Sequence, residues 1–507
     1  MVASILDYLE WSAEQYPDGE AYEDGNETAT FSEMRERAKG IGTAFLRKGI
    51  SHGPVLVYMK KSVAMVSAFF GITACGCSYC PVDTQMPEER LRMVLDILKP
   101  CAIVTTEAFR EKTEGFKAAI PVFFYEDLVS EDQDLELLKR GERRIDTDPL
   151  YILFTSGSTG IPKGVAIPHK AAMDYVEWFT GKFELKQGDA LGNQAELYFD
   201  LSVQDVYAPI ICGCKTVFLS PSLFSTPDRL MSDLMEKKIT AVSWVPSALC
   251  LVANLDGMAS HVPECLRLVT FCGEVMPCKQ LNYWRSRLPH TYFVNLYGPT
   301  EATVACTYYP ILREFSDEEV LPIGIPCENT KILVLNERDE PVKGDQIGEL
   351  CVIGSSLALG YYGSPEKTKE VFVQNPCNLD FPERIYRTGD LVYYGADGNL
   401  MYVSRKDFQI KHLGYRIELG EIETAAGLQE GMKECACIYD EQKKRILLYY
   451  TGKKWDSREL KIVLSKRLPQ YMIPNRVCYL EEMPHNRNGK VDRKQLKDQL
   501  KEKSVRN

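Results

Sequence analysis

The sequence predicts an α/β protein: a large N-terminal part of layered α/β structure followed by a small α+β C-terminal unit. Three observations carry this expectation. From the N-terminus to about residue 320, strand-like and helix-like segments alternate, as in the helical run Pro227–Lys238 followed by the strand Thr240–Trp244. Such alternation packs helices on largely parallel sheets. From about 320 to 403 the pattern changes to short strands with frequent turns, at Lys331–Leu335, Glu349–Ile353, Leu391–Tyr394 and Leu400–Val403, which predicts a small β-rich subdomain. After Arg405-Lys406-Asp407, residues 408–507 read as a compact α+β unit. There Asp456 and Ser457 can cap a helix whose apolar residues Leu460, Val463, Leu464 and Leu468 share one face, with Pro469 stopping it.

Length and composition narrow the function. A chain of 507 residues exceeds one hydrophobic core and points to about two to four domains. A net charge of −11, with no Lys/Arg block interleaved with aromatics, argues against nucleic acid as a partner. Asp7 and Glu10 interrupt the N-terminal apolar pattern and no basic n-region precedes it, so no secretory signal is expected and a cytoplasmic location is. The segment Ser62 to Val82 is uncharged and long enough to raise the membrane question. Its Ser67, Gly71, Thr73, Gly76, Ser78 and Pro81 predict a buried helix followed by a turn, with no integral membrane segment. The 17 cysteines read as reduced thiols, and Cys75, Cys77 and Cys80 as small buried residues, because no second Cys/His pair accompanies them in the sequence.

The run Phe154-Thr155-Ser156-Gly157-Ser158-Thr159-Gly160-Ile161-Pro162-Lys163-Gly164 follows the strand-like Leu150-Tyr151-Ile152-Leu153. Its glycines allow close backbone approach to a ligand, its hydroxyls supply donors, and Lys163 supplies a positive charge. That combination suits a phosphate-rich ligand. Gly164 stands where the common P-loop has a metal-binding Ser or Thr, so this is a different loop. Taken alone, the run is equally compatible with a flexible linker.

Further motifs decide between the two. They are Asn295-Leu296-Tyr297-Gly298-Pro299-Thr300-Glu301, Tyr386-Arg387-Thr388-Gly389-Asp390, Asp407-Phe408-Gln409-Ile410-Lys411, Leu468-Pro469-Gln470-Tyr471-Met472-Ile473-Pro474 and Asn488-Gly489-Lys490-Val491-Asp492-Arg493. In this order and spacing the chain resembles the adenylate-forming superfamily over nearly its whole length. The resemblance implies an N-terminal domain over 1–403, made of two α/β layered subdomains and the small β-rich one. It also implies a hinge over 404–407 and a mobile C-terminal domain over 408–507. Its implied chemistry has two steps: a carboxylate and ATP give an acyl-adenylate and pyrophosphate, then a thiol displaces AMP.

The resemblance also implies roles for residues. Thr155, Ser156, Gly157, Ser158, Thr159, Gly160 and Lys163 would hold the β- and γ-phosphates. Tyr297 would stack on adenine, with Gly273, Glu274, Asn295 and Gly298 in the same pocket. Thr300 would donate to the α-phosphate and Glu301 would hold Mg²⁺. Asp390 would accept from the ribose hydroxyls, and Tyr402 and Arg405 would close over the nucleoside. Lys490 would reach between the two anions that meet in the first step. Asp407 would be the hinge, with Ser404 standing where the family has Gly, and Lys411 and Gly414 would face the thiol arm. Taken singly, Tyr297 is also a buried aromatic, Glu301 a helix cap, Asp390 a turn residue and Lys490 a turn lysine.

Phe199-Asp200-Leu201-Ser202-Val203 separates amino acid activators from fatty acid activators within the resemblance, because Asp200 would pair with the substrate's α-ammonium. Asp200 taken alone is also compatible with a helix cap. The wall of the side-chain pocket would be Leu201, Gln204, Ser243, Thr270, Cys272, Leu296, Val304 and Ala305, with Phe199 and Lys490 completing the site. Asn193-Gln194-Ala195 and Phe271-Cys272-Gly273-Glu274-Val275 are similar to ligases that load D-alanine onto a carrier protein for teichoic acid. There Cys272 would favour the D hand, although it is equally an inert buried thiol. Gln204, Leu296 and Trp244 depart from that pattern, and a buried Gln204 needs a partner, which could be a polar group on a larger substrate. The leading expectation is therefore D-alanine, with a nonribosomal peptide adenylation enzyme for another amino acid as the alternative and an acyl-CoA synthetase third. The acceptor would be the phosphopantetheine thiol of a separate carrier protein, since no Gly-Gly-x-Ser-type carrier motif is found. Intact Glu301, Asp390 and Lys490 argue against a catalytically dead nucleotide binder.

Overall fold

The computed structural model describes residues 2–116, 119–140, 144–157, 160–485 and 491–498. The chain divides into two compact units. The first comprises Met1–Thr84, Leu98–Leu153 and Gly164–Lys406, and the second Gln85–Ile97, Phe154–Lys163 and Asp407–Asn507. The second unit thus takes in two early segments besides the C-terminal stretch.

In the first unit, helix α1 (Phe31–Arg47) opens with a capping box: Thr30 Oγ1 accepts from the Glu33 amide, and the Glu33 carboxylate accepts from the Thr30 amide. Helix α2 (Val63–Ala74) begins at Ser62, whose hydroxyl accepts from the Met65 amide. This helix is the uncharged run of the sequence; it is apolar all round because protein surrounds it. The strand Ser78–Pro81 follows it. Among the described residues, no helix is long and apolar enough to cross a membrane.

The described residues of the first unit form three sheets. One has seven strands, in the order Gly360–Tyr361, Lys163–Pro168, β1 (Pro149–Thr155), Ser78–Pro81, Pro54–Tyr58, Ala102–Thr105 and Val122–Phe124. A second has nine, with β2 (Ala190–Asn193), β3 (Ala241–Trp244), β4 (Leu268–Cys272) and β5 (Tyr292–Tyr297) in its parallel centre. Helices α3 (His169–Lys182) and α4 (Val203–Cys212) cover one face of this sheet, where Ala241, Leu268, Cys272, Val294 and Leu296 are buried. Helix α5 (Pro246–Asn254) lies on the other face, with Val242, Trp244, Val269, Phe271 and Phe293. Alternation along each strand assigns every side chain to one core or the other.

The third sheet is antiparallel: β6 (Gly348–Gly354), β7 (Arg384–Tyr394) and β8 (Leu400–Arg405), with Thr330–Leu335 and Phe372–Gln374. The expected strand Leu391–Tyr394 is the tail of β7, which starts seven residues earlier at Arg384. Thr388-Gly389-Asp390 reads as a turn in sequence but is a bulge in a continuous strand. Glu349 pairs with Leu391 and Cys351 with Arg387, and Gly389 takes φ +74°. Asp390 is therefore a strand residue, not a turn residue.

The second unit builds its core from Ile417, Leu419, Ile422, Cys437, Ile446, Leu448, Tyr450, Leu460, Leu464, Leu468 and Met472. Its capped helix is Ser457–Leu464, with Asp456 Oδ1 accepting from the Arg458 and Glu459 amides. That helix ends at Leu464, and a turn over Ser465–Arg467 carries the chain to the buried Leu468, whose amide still donates to the Leu464 carbonyl at 2.9 Å, ahead of Pro469. Within this unit the Arg90 guanidinium pairs with the buried Glu421 carboxylate, and Arg467 with Glu89 at 2.5 Å. Burial still pushes the Glu421 carboxyl up, against the opposing pull of Arg90.

A buried polar chain braces the first unit beneath β2. Lys61 Nζ donates to Asn193 Oδ1 and to the Gln194 carbonyl, both at 3.1 Å, and Asn193 Nδ2 donates to Asp205 Oδ2 at 2.8 Å. Burial raises the Asp205 carboxyl to about 7, opposed by the Asn193 amide and the Lys61 charge. The Lys61 ammonium is shifted down by the same burial.

This packing makes two effects on stability measurable. A Cβ on Gly71 falls inside the contact radius of Ile41 Cβ and Cγ2 on α1. Gly71→Ala should therefore cost about 1–3 kcal/mol, read as a lower melting temperature; unchanged melting would show that α1 and α2 separate freely. For Asp205, the folded chain holds a proton that the unfolded chain, with a pKa of about 3.9, has released. Stability on this account falls as pH rises from about 4 through about 7. Asp205→Asn should flatten that decline across the window, whereas an equal decline in parent and variant would show that Asp205 does not titrate there.

Candidate active site

Tyr297 ends β5 in the first unit, and its hydroxyl donates to Asp390 Oδ2. Arg405, the last residue of β8, donates from Nη1 to the other oxygen, Oδ1, at 3.0 Å. Thr388 Oγ1 donates to the Leu350 carbonyl at 2.7 Å and accepts from the Asp390 amide at 3.0 Å, which fixes the bulge. Burial, and then the Asp390 charge, push the Tyr297 phenol well above its usual value, so it acts as a donor. The structure thus brings Tyr297, Asp390 and Arg405 together, and each carboxylate oxygen keeps further acceptor capacity. Tyr402 lies half-buried on the same β8 strand, opposite Val392.

Other expected nucleotide residues serve the protein's own structure. Glu274 Oε2 accepts from the Ser247 amide at 2.9 Å, in the first turn of α5. Asn295 Nδ2 donates to the Pro322 carbonyl at 2.8 Å. Gly273, directly after β4, takes φ +97° and has no atom within 4 Å of an added Cβ, so space opens beside its backbone. A Cβ at Gly298 would lie 2.5 Å from the Val304 carbonyl oxygen and 2.6 Å from Ala305 Cα, so that glycine is required by close packing.

After β5 the chain makes a short helix, Thr300–Ala302, with Thr300 half-buried and Glu301 buried. Tyr361 donates its hydroxyl to Glu301 Oε1 at 2.8 Å. Thr303 and Val304 then adopt φ +51° and +70°. A β-branched residue in the left-handed region is strained, and such strain gathers at functional sites. It is held by the Cys306 amide on the Tyr297 carbonyl at 2.8 Å and by Thr303 Oγ1 on the Ser356 carbonyl at 2.6 Å.

The glycine-rich loop belongs to the second unit. Ser156 Oγ donates to the Arg416 carbonyl at 2.7 Å, and Lys163 Nζ lies 3.9 Å from Glu418 Oε1. A side chain at Gly157 would collide with the Ile161 carbonyl, and Gly160 takes φ +79°. Thr155 Oγ1 is buried and meets no hydrogen-bond partner among the described residues. An orphaned hydroxyl, one glycine required by close packing, a second in the left-handed region and a nearby lysine fit a phosphate-bearing nucleotide. Among the described residues no group of three His, Cys, Asp or Glu could hold a metal. A Mg²⁺ held by Glu301 would therefore complete its shell with phosphate oxygens and water. Ser158, Thr159 and Lys490 lie outside the described residues.

Asp200, half-buried, opens the turn Asp200–Ser202 that leads into α4, and Phe199 precedes it in extended conformation. Leu201, Gln204, Ser243, Thr270, Cys272, Leu296, Val304 and Ala305 are all buried. Ser243 pairs with Thr270, Thr270 with Val294, and Cys272 with Leu296, across β3, β4 and β5. Gln204 finds its partners inside the protein: it accepts from the Tyr175 hydroxyl at 3.2 Å and donates to the Leu201 carbonyl. The substrate is not needed to satisfy it, contrary to the expectation from sequence. Trp244 is absent from this wall too. It sits on the opposite face, against Phe224 and Trp284, and donates to the Gly192 carbonyl at 2.8 Å. Tyr175, Lys61 and Asp205 were not foreseen. The available signal was an acid and an amide, Asp205 and Gln204, inside the otherwise apolar helix α4.

Around the expected hinge, Lys406 is fixed to the first unit: its amide donates to the Gly389 carbonyl at 2.8 Å and its Nζ lies 3.0 Å from Glu349. Asp407 begins the main segment of the second unit, and its Oδ1 accepts from the Gln409 amide at 3.2 Å. Ser404 pairs with Leu391 in the β7–β8 ladder, outside the left-handed region that would demand glycine. Lys411 is exposed on the strand Gln409–His412. Leu413 and Gly414, at φ +54° and +81°, form the tight turn to Tyr415–Glu418.

Comparison with known proteins agrees with this geometry. Residues 9–362 match the family model described as AMP-binding enzyme, and residues 421–490 match the AMP-binding enzyme C-terminal domain. Zwittermicin A synthase ZmaJ of Bacillus cereus is 32% identical over 98% of this chain and 95% of its own length. Gramicidin S synthase 2 of Brevibacillus brevis is also 32% identical, over 97% of this chain, which spans 11% of that larger protein. The Vibrio cholerae adenylation domain AlmE, solved with glycyl-adenosine-5'-phosphate, shares the fold at TM-score 0.85 and 24% identity, covering 99% of this chain and 98% of that one. An artificially fused adenylation–PCP di-domain, NpsA-ThdA from Klebsiella oxytoca, does so at TM-score 0.80 and 21% identity, with 94% of each chain covered. The chain belongs to the AMP-binding enzyme family, within the adenylate-forming superfamily whose members use ATP and Mg²⁺.

Proposed function

We propose that this enzyme activates an amino acid as its aminoacyl-adenylate and passes it to the phosphopantetheine thiol of a separate carrier protein, in the manner of nonribosomal peptide adenylation enzymes. The observation that carries this reading is Asp200. It is a half-buried carboxylate at the start of the turn that leads into α4, directly before Leu201, and it carries the charge that pairs with an α-ammonium. The gramicidin S and zwittermicin A synthases among its relatives favour a natural-product role. They lend no support to the expectation of D-alanine for teichoic acid. The carrier is supported by the adenylation–PCP proteins that share this fold. Because an o-succinylbenzoate CoA synthetase also shares the fold, the choice of an amino acid over a simple carboxylic acid as substrate rests on Asp200 rather than on the fold.

In the first step a carboxylate oxygen bonds to the α-phosphorus of ATP and pyrophosphate leaves. Thr300 would donate to the α-phosphate and Asp390 would hold the ribose. Tyr297 would lie against the adenine, with Gly273 giving the ring room. Thr155, Ser156 and Lys163 would hold the outer phosphates, together with Ser158 and Thr159. Lys490 would offset the repulsion between the two anions as charge builds at phosphorus. Mg²⁺, held by Glu301, would neutralise phosphate charge. In the second step the thiol sulfur bonds to the carbonyl carbon and AMP leaves. Rotation about Asp407 would exchange the groups that face the reaction, with Lys411 and Gly414 then meeting the thiol arm.

Pyrophosphate release with ATP, Mg²⁺ and single amino acids tests the reading, and release driven only by acetate or fatty acids would replace it with the acyl-CoA alternative. Asp200→Ala should raise the barrier with the preferred amino acid by about 3–5 kcal/mol in kcat/KM while sparing the KM for ATP; an unchanged kcat/KM would remove Asp200 from the amine site. Lys490→Ala should slow adenylate formation by on the order of a hundredfold or more and spare transfer from a supplied adenylate. Equal loss of both steps would assign Lys490 a structural role.

A further inference from the structure

Two hydroxyls at the proposed wall of the amino acid pocket meet no hydrogen-bond partner among the described residues. Ser243 Oγ and Thr270 Oγ1 are buried, at 1% and 0% residue exposure, and neither meets a hydrogen-bond partner among the described residues. They are direct neighbours, since Ser243 on β3 pairs in register with Thr270 on β4. Strand alternation turns both to the face that carries Ala241, Leu268 and Cys272, beneath α3 and α4. The Cys272 thiol, on the same face one strand repeat further along β4, lies 3.9 Å from the strained Val304 carbonyl. The amide that could have satisfied the hydroxyls, Gln204, is already committed to Tyr175 and Leu201. Buried polar groups in folded proteins are paired, so two adjacent hydroxyls that meet no partner among the described residues are open to one from outside the chain.

On the reading of this pocket given above, we propose that the preferred amino acid carries an uncharged hydrogen-bonding group, a hydroxyl or carboxamide, that pairs with Ser243 and Thr270. A charged side chain is disfavoured, because Leu201, Gln204, Ser243, Thr270, Cys272, Leu296, Val304 and Ala305 include no counter-ion. An alanine methyl of either hand is disfavoured as well, because it would leave both hydroxyls buried and unmatched.

The test compares isosteres, in both L and D forms: threonine with valine, serine with alanine, and asparagine with leucine, each by ATP-dependent pyrophosphate release. A site built to bond a polar group rejects the analogue lacking it, so one polar member should exceed its apolar counterpart by about a hundredfold or more in kcat/KM. The double variant Ser243→Ala, Thr270→Val should bring that ratio to within about tenfold, since the partners of the polar group are then gone. Preference for the apolar member, or an unchanged ratio in the double variant, would overturn the assignment while leaving amino acid activation intact. Failure of every amino acid, with activity on a simple carboxylic acid, would instead overturn the function proposed above.

Discussion

The register of β3, β4 and β5 is the constraint on which the rest of the site depends. Side chains alternate between faces, so a slip of one residue would exchange Ser243, Thr270, Cys272 and Leu296 for Trp244, Phe271 and Phe293. Two separate cores oppose that slip. On one face Trp244 is locked by Phe224, Trp284 and its bond to the Gly192 carbonyl. On the other, α3 and α4 bring Tyr175 and Gln204 together and leave small side chains at the wall. The large aromatics that fix the sheet are thus confined to the face opposite the proposed wall.

Departures from regular geometry occur where the site needs them. The bulge at Thr388-Gly389-Asp390 directs one carboxylate toward Tyr297 and Arg405, and Gly389 supplies the positive φ it requires. The strained Thr303-Val304 pair turns the chain back over Gly298, whose missing side chain lets the Val304 carbonyl approach. Each feature carries a local cost that surrounding hydrogen bonds offset. The Lys61–Asn193–Asp205 chain does similar work below the segment that leads to Asp200, with burial setting the protonation of its acid.

Much of this was legible in the sequence, for physical reasons that particular residues illustrate. The alternation ahead of residue 320 and the capping pair Asp456-Ser457 are local signals, and local signals survive folding. Gly389-Asp390 is compatible with a turn in sequence because glycine marks turns and bulges alike, and only the partner strand β6 distinguishes them. Trp244 was assigned beside the pocket because sequence neighbours of wall residues look like wall residues, whereas adjacent strand positions point to opposite faces. Gln204 was read as a group awaiting substrate because its partner, Tyr175, lies 29 residues away on another helix. Lys61 and Asp205 carry no sequence signal of their link, because it runs through Asn193, from the loop before α2 to β2 and α4. The hydroxyls of Ser243 and Thr270 were wall positions in sequence, but their lack of partners is a property of the packed sheet.

In the function proposed above, a single pocket would hold the aminoacyl-adenylate, with its ammonium at Asp200 and its side chain at the β3–β4 wall. A crystal structure with a non-hydrolysable analogue of the preferred aminoacyl-adenylate tests this most directly. The account predicts adenine against Tyr297, ribose on Asp390, the ammonium on Asp200 and a side-chain polar atom bonded to Ser243 or Thr270. An analogue bound with its amine away from Asp200, or with its side chain directed away from β3 and β4, would contradict it.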